Sequence, residues 1–451
     1  MKTAVVILAA GQGTRMNSDI PKVLHPVAGA ALLQHAMASA APLEPERTVI
    51  VAGHGADQVR TCAQDHTPEA KIVLQQEQLG TAHAVLQART ELQDFDGNLL
   101  VIYGDTPFIG PETLAKMTAA RATADLVVLG FNAADPGRYG RLITQGDSLK
   151  RIVEFKDASA EERAIKLCNS GVMLAKASGL FALLDQVSND NAAGEYYLTD
   201  CVALAQQSGQ SAQVVICNEA ETLGVNSRID LAAAEATFQD RARNDLLENG
   251  VTMAAPESVY LSYDTVIGRD ATIEQNVVFG PGVTIESGAL IRAFSHLEGC
   301  HVAKGAVVGP YARLRPGTEL AEAAKVGNFV EIKNAEVGEG AKINHLSYVG
   351  DATVGAKANL GAGTITCNYD GVMKHRTDIG AGAFIGSNTM LVAPVRIGAQ
   401  AMTGSGSVIT KDVAEGDLAL ARAKQVNKTG LAIKLFDLFK KRKVKSDLEN
   451  K

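Results

Sequence analysis

The first half of the chain alternates short apolar runs with helix-like stretches. Runs rich in aliphatic and β-branched residues, typical of buried strands, occur at 4–8, 49–52, 71–74, 99–103 and 126–130. Stretches with helical character lie between them at 31–41, 81–92 and 112–122. This alternation predicts a Rossmann-like α/β domain on a mostly parallel sheet, with binding sites at the carboxyl ends of the strands.

One long helix is predicted to follow this domain. The segment 228–248 is rich in Ala, Leu, Glu, Asp and Arg and contains no Gly or Pro, and Asn249-Gly250 supplies a stop signal. We therefore predict a domain at 1–227, a linking helix at 228–249 and a second domain at 250–451.

From Ile267 onward an apolar residue recurs every six positions, often followed by glycine. The frame opens with IGRDAT, IEQNVV, FGPGVT and IESGAL and continues, with occasional five-residue slips, as far as ITKDV. Hexapeptide repeats are typical of a parallel β-helix, in which three hexads make one triangular coil and the aliphatic residues stack inward. The second half is therefore predicted to be all-β, a left-handed parallel β-helix of roughly eight coils.

Two segments depart from the repeat. Residues 366–378 (TCNYDGVMKHRTD) are too polar to stack inside a coil and predict an extruded loop, where solenoids often carry function. After Ala421 the repeat stops, and apolar residues recur at helical spacing from Leu431 to Phe439 before the run KKRKVK. We interpret the tail as a short capping helix with a solvated basic tip and assign it no functional role.

Composition narrows the class of protein. The 451 residues include 43 basic and 50 acidic side chains, and 46% are hydrophobic, as in ordinary globular proteins. The acidic balance disfavours nucleic acid as a partner, and no apolar run approaches the ~20 residues that span a bilayer, so we expect no membrane partner. Six scattered cysteines without a CxxC pair indicate reduced thiols in the cytoplasm and disfavour a thiolate metal site.

A glycine-rich loop follows the first predicted strand. Residues 11–16 read GQGTRM, and the backbone N–H groups of such a loop can face a phosphate. The third glycine of a dinucleotide fingerprint is missing, so taken alone the loop is equally well a plain strand-to-helix turn. Arg15 and Lys22 add two cations that can neutralise nucleotide phosphates, which is most of what phosphoryl-type transfer requires of a protein.

The same half carries further motifs. They are LAAGQGTRM with Pro21-Lys22, EQLGTAHA, Tyr103-Gly104-Asp105, GRYGR, EYYLTD and Gly224-Val225-Asn226. Together they resemble the signature of the sugar-nucleotide pyrophosphorylases. With the hexapeptide half included, essentially the whole chain resembles the family of bacterial bifunctional N-acetylglucosamine-1-phosphate uridyltransferases and glucosamine-1-phosphate acetyltransferases.

That resemblance implies two reactions. Acetyl-CoA would acetylate glucosamine 1-phosphate in the C-terminal half, and UTP would uridylate the product in the N-terminal half, giving UDP-N-acetylglucosamine and pyrophosphate. It also implies a homotrimer in which neighbouring β-helices share each acetyltransferase site.

In the N-terminal half, the resemblance implies a site for UTP and UDP-N-acetylglucosamine. Arg15 and Lys22 would meet the triphosphate as catalytic cations, and Asp105 and Asn226 would coordinate Mg2+, which prefers a few protein oxygens together with substrate phosphates. The nucleotide and sugar would be held by Leu8, Ala9, Ala10, Gly11, Arg15, Lys22, Gln75, Gly80, Thr81, Tyr103, Gly104, Asp105, Gly140, Glu154, Asn169 and Asn226.

Singly, some of these residues have plainer interpretations. Asp105 can cap a turn, Glu154 can be a surface carboxylate on a strand, and Asn226 can occupy a left-handed turn position. Thr106 stands where the family usually has valine, and we expect little effect because it is next to the metal ligand and is not the ligand itself.

Acetyl transfer to an amine requires a base for the ammonium proton, and His345 is the candidate. Glu331 lies fourteen positions earlier, close to one coil, and we predict that it orients or polarises the imidazole. Charge and a hydroxyl for a sugar phosphate are supplied by Arg315, Lys333, Tyr348 and Lys374. A lone histidine on a β-helix is more often an ordinary surface residue, and basic residues on a solenoid are usually solvated.

The resemblance adds Asn359 to the residues that bind glucosamine 1-phosphate and implies an acetyl-CoA site. The acetyl-CoA residues would be Ala362, Asn368, Tyr369, Ser387, Ser405 and Arg422. Ser405 replaces the usual alanine, which affects only a side-chain role because the contact there is expected through the backbone.

Two other functions remain open at this point. The chain can be a uridyltransferase alone, with the β-helix as an oligomerisation scaffold, or a non-catalytic binding subunit with a pyrophosphorylase-like fold. The residues grouped with His345 argue against the first alternative, and the intact set around Arg15 argues against the second.

Overall fold

The computed structural model describes residues 2–449. The strands of the N-terminal half are β1 (Thr3–Ala9), β2 (Pro26–Val27), β3 (Ala30–Ala31), β4 (Arg47–Ala52), β5 (Lys71–Leu74), β6 (Asn98–Tyr103), β7 (Leu126–Asn132), β8 (Arg141–Gln145), β9 (Ser148–Val153), β10 (Leu167–Lys176) and β11 (Ala212–Cys217). Nine of them form one sheet in the order β5-β4-β1-β6-β10-β7-β11-β9-β8, and β2 and β3 form a separate hairpin.

The α/β prediction is confirmed, but the sheet is more mixed than the sequence predicts. Parallel pairing joins β1 to β4 and β6, whereas β10 lies antiparallel between β6 and β7. The strands β8 and β9 form a hairpin because only a two-residue turn connects them, and a parallel connection needs a crossover of a dozen or more residues.

Helices surround this sheet. They are α1 (Leu32–Ala40), α2 (Ala56–His66), α3 (Thr81–Leu86), α4 (Arg89–Leu92), α5 (Pro111–Ala120), α6 (Ala160–Arg163), α7 (Ala177–Leu184), α8 (Asp200–Gln207) and α9 (Arg228–Glu248), with short 3-10 turns at Thr14–Met16, Lys22–Leu24, Ala41–Leu43 and Glu219–Thr222. Alternate residues of β1 belong to two different buried clusters, Val6 and Leu8 to one and Val5 and Ile7 to the other. Both faces of the central strand are therefore covered, which explains its unbroken apolar run.

The described chain divides into two compact units. The first holds residues up to Asn249, including α9, together with Val259–Thr265 and Phe279–Pro281. The second holds Gly250–Ser258, Val266–Val278 and the residues from Gly282 onward.

The C-terminal half is a left-handed parallel β-helix of short strands, with a 3-10 turn at Pro256–Ser258 after its first strand. Its strands are β12 (Thr252–Met253), β13 (Val266–Ile267), β14 (Thr272–Ile273), β15 (Val278–Phe279), β16 (Thr284–Ile285), β17 (Leu290–Ile291), β18 (His296–Leu297), β19 (Cys300–Val302), β20 (Val307–Val308), β21 (Arg313–Leu314), β22 (Thr318–Leu320), β23 (Lys325–Asn328), β24 (Glu331–Val337), β25 (Lys342–His345), β26 (Tyr348–Val354), β27 (Asn359–Leu360), β28 (Ile365–Cys367), β29 (Thr377–Ile379), β30 (Phe384–Ile385), β31 (Met390–Val392), β32 (Val395–Ile397), β33 (Met402–Thr403), β34 (Val408–Ile409) and β35 (Leu418–Ala419).

The aliphatic residue of each hexad points into the coil. Ile273, Ile291, Val308, Val326 and Ile343 follow one another in parallel register and are buried. This column of side chains is the core that the six-residue period predicts, and it confirms the predicted β-helix.

The extruded loop is shorter than the sequence predicts. Thr366 is buried within β28, where its hydroxyl donates to the carbonyl oxygen of Gly350 at 3.0 Å and accepts from the Gly350 N–H at 2.8 Å. Thr377 is buried at the start of β29. The loop therefore lies between Cys367 and Thr377. Thr366 can stack in a coil because its hydroxyl is satisfied locally.

The tail forms a helix, α10 (Leu431–Glu449), whose described side chains are all exposed. The prediction of a capping helix is wrong, since a cap would bury one face against the last coil. None of the helices within residues 2–449 is both long and apolar enough to cross a bilayer.

Candidate functional site

A cavity of about 320 Å³ opens at the carboxyl ends of β1, β5 and β6 in the first unit. Ten of the residues predicted to bind nucleotide line it, namely Leu8, Ala9, Ala10, Gly11, Lys22, Gln75, Gly80, Thr81, Tyr103 and Asp105. They come together because β1 lies between β4 and β6 and pairs with both in parallel, so the strand ends meet at one edge. Gly104 belongs to the same edge, since its N–H donates to the carbonyl oxygen of Leu8 at 2.9 Å.

The loop after β1 is shaped around Lys22. Gly13 has a φ of 62°, and a Cβ added there would lie 2.6 Å from the Cβ of Lys22. The flanking segments Thr14–Met16 and Lys22–Leu24 each form one 3-10 turn. A side chain at position 13 would therefore displace the lysine.

Four predicted residues converge beside this loop. The Lys22 ammonium donates to the Asp105 carboxylate and, at 3.0 Å, to Asn226 Oδ1. The Arg15 guanidinium donates to the same Asn226 oxygen at 3.0 Å. The N–H of Val225 donates to the carbonyl oxygen of Asp105 at 2.9 Å, which holds the segment before Asn226 against the end of β6.

The chemistry of this cluster fits Mg2+. One carboxylate oxygen of Asp105 and one amide oxygen of Asn226 face the same cationic group, and hard oxygen donors suit this ion. In residues 2–449 no group of three or more His, Cys, Asp or Glu side chains is arranged to hold a metal. A Mg2+ ion held by these two residues would take its other ligands from water and phosphate oxygens.

Gly140, Glu154 and Asn169 lie together on the predicted sugar side. The N–H of Asn169 donates to the carbonyl oxygen of Gly140 at 2.9 Å, and a Cβ on Gly140 would lie 3.3 Å from Glu154 Oε1. The same Glu154 oxygen accepts from Thr199 Oγ1 at 3.2 Å. Burial raises the pKa of the Glu154 carboxyl above its ordinary value, and nearby carboxylates add to this.

Two polar cavity residues, Gln78 and Glu195, are missing from the sequence prediction. The Gln78 amide donates to the carbonyl oxygen of Ala10 at 2.6 Å and so fixes the end of β1. Both residues lie inside the motifs EQLGTAHA and EYYLTD, so position within those motifs is the signal that identifies them.

In the second unit, the predicted sugar-phosphate residues form a cluster of cations. Strand pairing places Glu331 opposite Tyr348, and the Arg315 guanidinium donates to Glu331 Oε1 at 2.7 Å. Lys374 lies close enough to Lys333 to lower the pKa of Lys333, and Arg315 adds to this repulsion. Glu331 and Asp351 offset part of this positive charge, and three cations gathered in this way favour a bound anion.

His345 lies on a different column of strands from Glu331. It ends β25 in a ten-stranded sheet, whereas Glu331 begins β24 in a fourteen-stranded sheet. The Nδ1 atom of His345 lies 2.9 Å from Asn328 Oδ1, 17 positions earlier in the sequence. The ring nitrogen Nδ1 is thus paired with Asn328 and Glu331 Oε1 with Arg315, and the orienting role of Glu331 stays a prediction. Asn359 lies on β27, the strand next to β25.

The predicted acetyl-CoA residues follow successive coils. The carbonyl oxygens of Ala362, Ser387 and Ser405 accept hydrogen bonds from Asn388, Gly406 and Arg422, at 2.7, 2.8 and 2.7 Å respectively. The backbone carbonyl groups of three predicted residues thus lie in turns of successive coils, and Arg422 contacts the last of these groups.

The remaining two predicted acetyl-CoA residues lie on the loop. Asn368 donates to the Asp351 carboxylate, and Tyr369 forms a β-bridge with Lys374. The loop thereby carries both a predicted acetyl-CoA residue and a cation of the phosphate cluster.

Comparison with known proteins finds matches to both halves. A family model described as "MobA-like NTP transferase domain" matches residues 5–165, and one described as "Bacterial transferase hexapeptide (six repeats)" matches residues 264–299. Proteins named "Bifunctional protein GlmU" are similar over nearly the full length. That of Ruegeria sp. (strain TM1040) is 68% identical and covers 98% of this chain and 99% of its own. That of Ruegeria pomeroyi is 66% identical and covers 100% of each chain.

Proposed function

The chain belongs to the family of the bifunctional GlmU proteins, and from this premise we propose how its residues divide two reactions between its two units. The protein is a bifunctional transferase. The β-helix transfers acetyl from acetyl-CoA to glucosamine 1-phosphate, and the N-terminal unit transfers uridylyl from UTP to N-acetylglucosamine 1-phosphate. The observation that carries this division is that each unit holds its own cluster of converging charged residues, at Lys22 in one and at Lys333 in the other.

In uridylyl transfer, a phosphate oxygen of the sugar phosphate attacks the α-phosphorus of UTP, and pyrophosphate leaves. Lys22 and Arg15 neutralise the triphosphate, and Asp105 and Asn226 would hold Mg2+. When bound, Mg2+ supplies positive charge that stabilises the phosphate oxygens. Glu154, with Gly140 and Asn169, binds the sugar and so fixes the direction of attack.

In acetyl transfer, the amine of glucosamine 1-phosphate attacks the thioester carbonyl, and the thiolate of coenzyme A leaves. His345 removes the proton from the nitrogen. Arg315, Lys333 and Lys374 bind the phosphate, and the stacked turns ending at Arg422 bind coenzyme A. Lys374 lowers the pKa of Lys333 because the two ammonium groups repel each other. A bound phosphate would relieve this repulsion, whereas a β-helix that serves only as a scaffold does not require it.

We also propose that the β-helices associate as a homotrimer. The rings of Phe294, Tyr311 and Phe329 form an exposed stack with centroids 4.9 and 5.4 Å apart, and Leu346 continues it. All four residues have a left-handed backbone, which costs about 1–2 kcal/mol for each bulky residue. An exposed apolar column of this kind supports burial against another chain.

The position of this column also supports a shared site. Leu346 directly follows His345, so a neighbouring β-helix on the column would lie beside the base and could supply the cation cluster. Light scattering tests the assembly: we expect the mass of three chains, and a monomer at micromolar concentration would contradict the proposal.

The free state of all six cysteines supports a reducing compartment, the cytoplasm.

Following free thiol and pyrophosphate in parallel tests the function directly. The purified protein is incubated with glucosamine 1-phosphate, acetyl-CoA, UTP and Mg2+, and each component is omitted in turn. We expect thiol release without UTP, and pyrophosphate release only when N-acetylglucosamine 1-phosphate is supplied or formed. Pyrophosphate without any thiol release would reduce the β-helix to a scaffold.

Gly13→Ala should reduce uridylyl transfer about 10-fold or more and leave acetyl transfer unchanged. The added Cβ would lie 2.6 Å from the Cβ of Lys22 and move its ammonium, and small displacements of a catalytic group carry large rate penalties. Pyrophosphate release measures the effect. Gly146→Ala is the matched control, because Gly146 also has a positive φ but a Cβ there meets nothing within 4 Å. Equal losses in both variants would show that backbone strain, and not Lys22, is responsible.

The KM for N-acetylglucosamine 1-phosphate should rise as the pH falls below neutrality. Because burial raises the pKa of Glu154, this carboxyl takes up a proton at a higher pH than an exposed glutamate, and the protonated form is a poorer hydrogen-bond acceptor for the sugar. Initial rates of pyrophosphate release across pH measure it. In Glu154→Gln the KM should be high and independent of pH over this range, and an unchanged pH dependence there would assign the effect to another group.

A further inference from the structure

The contact between Asn328 and His345 is built into the coil. Asn328 ends β23 and His345 ends β25, and strand register places the two residues opposite each other on successive coils. The carbonyl oxygen of Asn328 accepts a hydrogen bond from the N–H of Leu346 at 3.1 Å. Both the backbone and the side chain of Asn328 therefore hold the segment that carries His345.

The side-chain contact selects one form of the ring. Asn328 Oδ1 lies 2.9 Å from Nδ1 of His345, and an amide oxygen only accepts hydrogen bonds. The neutral ring therefore carries its proton on Nδ1, which leaves the lone pair of Nε2 free to take a proton. Glu331 Oε1 accepts a hydrogen bond from Arg315 in the same chain.

The surroundings of the pair are cationic. Asn328 and His345 line a cavity of about 260 Å³ together with Arg292 and Lys325, and no carboxylate is among its lining residues. The partner of the ring is thus a neutral amide in a cavity that no carboxylate lines. A neutral acceptor orients the imidazole and favours its protonated form less than a carboxylate would, which suits a general base.

We propose that Asn328 is the positioning residue for His345, holding the ring in the tautomer and orientation in which Nε2 accepts the proton of the attacking amine. This inference rests on the proposed role of His345 as the base of acetyl transfer. Asn328 itself touches neither substrate in this account and acts through the ring.

Two substitutions separate positioning from a merely structural role. Asn328→Ala should lower kcat for acetyl transfer by about 10- to 100-fold, because a misoriented imidazole no longer lies in line to accept the proton of the amine. The KM values should change little. Asn328→Asp keeps the acceptor and adds a carboxylate beside the ring, which favours its protonated form. It should restore kcat at alkaline pH and move the acid limb of the pH–rate profile upward by about 1 pH unit or more.

The controls keep the two proposals distinguishable. Far-UV circular dichroism and thermal melting of the same samples report whether the β-helix of each variant is folded, and His296→Ala, at an exposed position on β18, should behave like the wild type. If His345→Ala retains acetyl transfer, the base role itself is overturned. If His345→Ala is inactive but both Asn328 variants keep the wild-type kcat and pH profile, only the positioning role is overturned.

Discussion

Replacing His345 by alanine is expected to lower the rate of acetyl transfer by about 10²–10⁴-fold, the range that a well-placed general base contributes. Without the imidazole, water must accept the proton as the amine attacks the thioester. Uridylyl transfer should keep its full rate, because its residues lie in the other compact unit. Thiol release from acetyl-CoA and pyrophosphate release from UTP, measured on one preparation, give both rates.

His296→Ala is the matched control for this experiment. His296 is an exposed histidine on another strand of the same β-helix, β18, and has no role in the proposed chemistry. It should retain both activities. Acetyl transfer at full rate in His345→Ala would remove His345 from the mechanism, and loss of both activities would contradict the independence of the two sites.

Asp105→Asn is expected to lower uridylyl transfer by about 10²–10³-fold, as loss of several kcal/mol of charge stabilisation would do. The amide keeps the shape of the side chain but removes the negative charge that pairs with Lys22 and that would hold Mg2+. The concentration of Mg2+ that gives half-maximal pyrophosphate release should rise, while thiol release stays unchanged. Both quantities come from titrating Mg2+ at saturating UTP and sugar phosphate.

Asp147→Asn serves as the charge-matched control. Asp147 is exposed on the turn between β8 and β9, so the same change in charge there should alter neither the rate nor the Mg2+ dependence. If Asp105→Asn turned over at the wild-type rate with an unchanged Mg2+ dependence, the metal role assigned to Asp105 would be wrong.

Local periodicity predicts most of the architecture, because it reports which positions are buried. The run around Val5 to Leu8 is apolar on both faces, and the six-residue period from Ile267 places one aliphatic residue inside each turn. Polar ends of coils are harder to predict. Thr366 appears too polar to stack, and only the structure shows that the backbone of Gly350 satisfies its hydroxyl.

Some site residues can likewise be predicted from the local sequence, and others only from the structure. Arg15 and Lys22 are recognisable beside a glycine loop, but their meeting with Asn226, more than two hundred positions away, depends on the topology of the sheet and was predictable only through the family resemblance. The spacing of fourteen residues points to Glu331 as a partner of His345, whereas this coil advances by 17 residues and brings Asn328 to the ring.

Mixing the two inactive variants tests the central claim most directly. His345→Ala and Asp105→Asn are each incubated with glucosamine 1-phosphate, acetyl-CoA, UTP and Mg2+, and UDP-N-acetylglucosamine is measured by chromatography. We predict almost no product from either variant alone and restored product from the mixture, because N-acetylglucosamine 1-phosphate made by Asp105→Asn is consumed by His345→Ala. If the mixture stays inactive while His345→Ala still uridylates added N-acetylglucosamine 1-phosphate, the β-helix is not the acetyltransferase and the two-site account is contradicted.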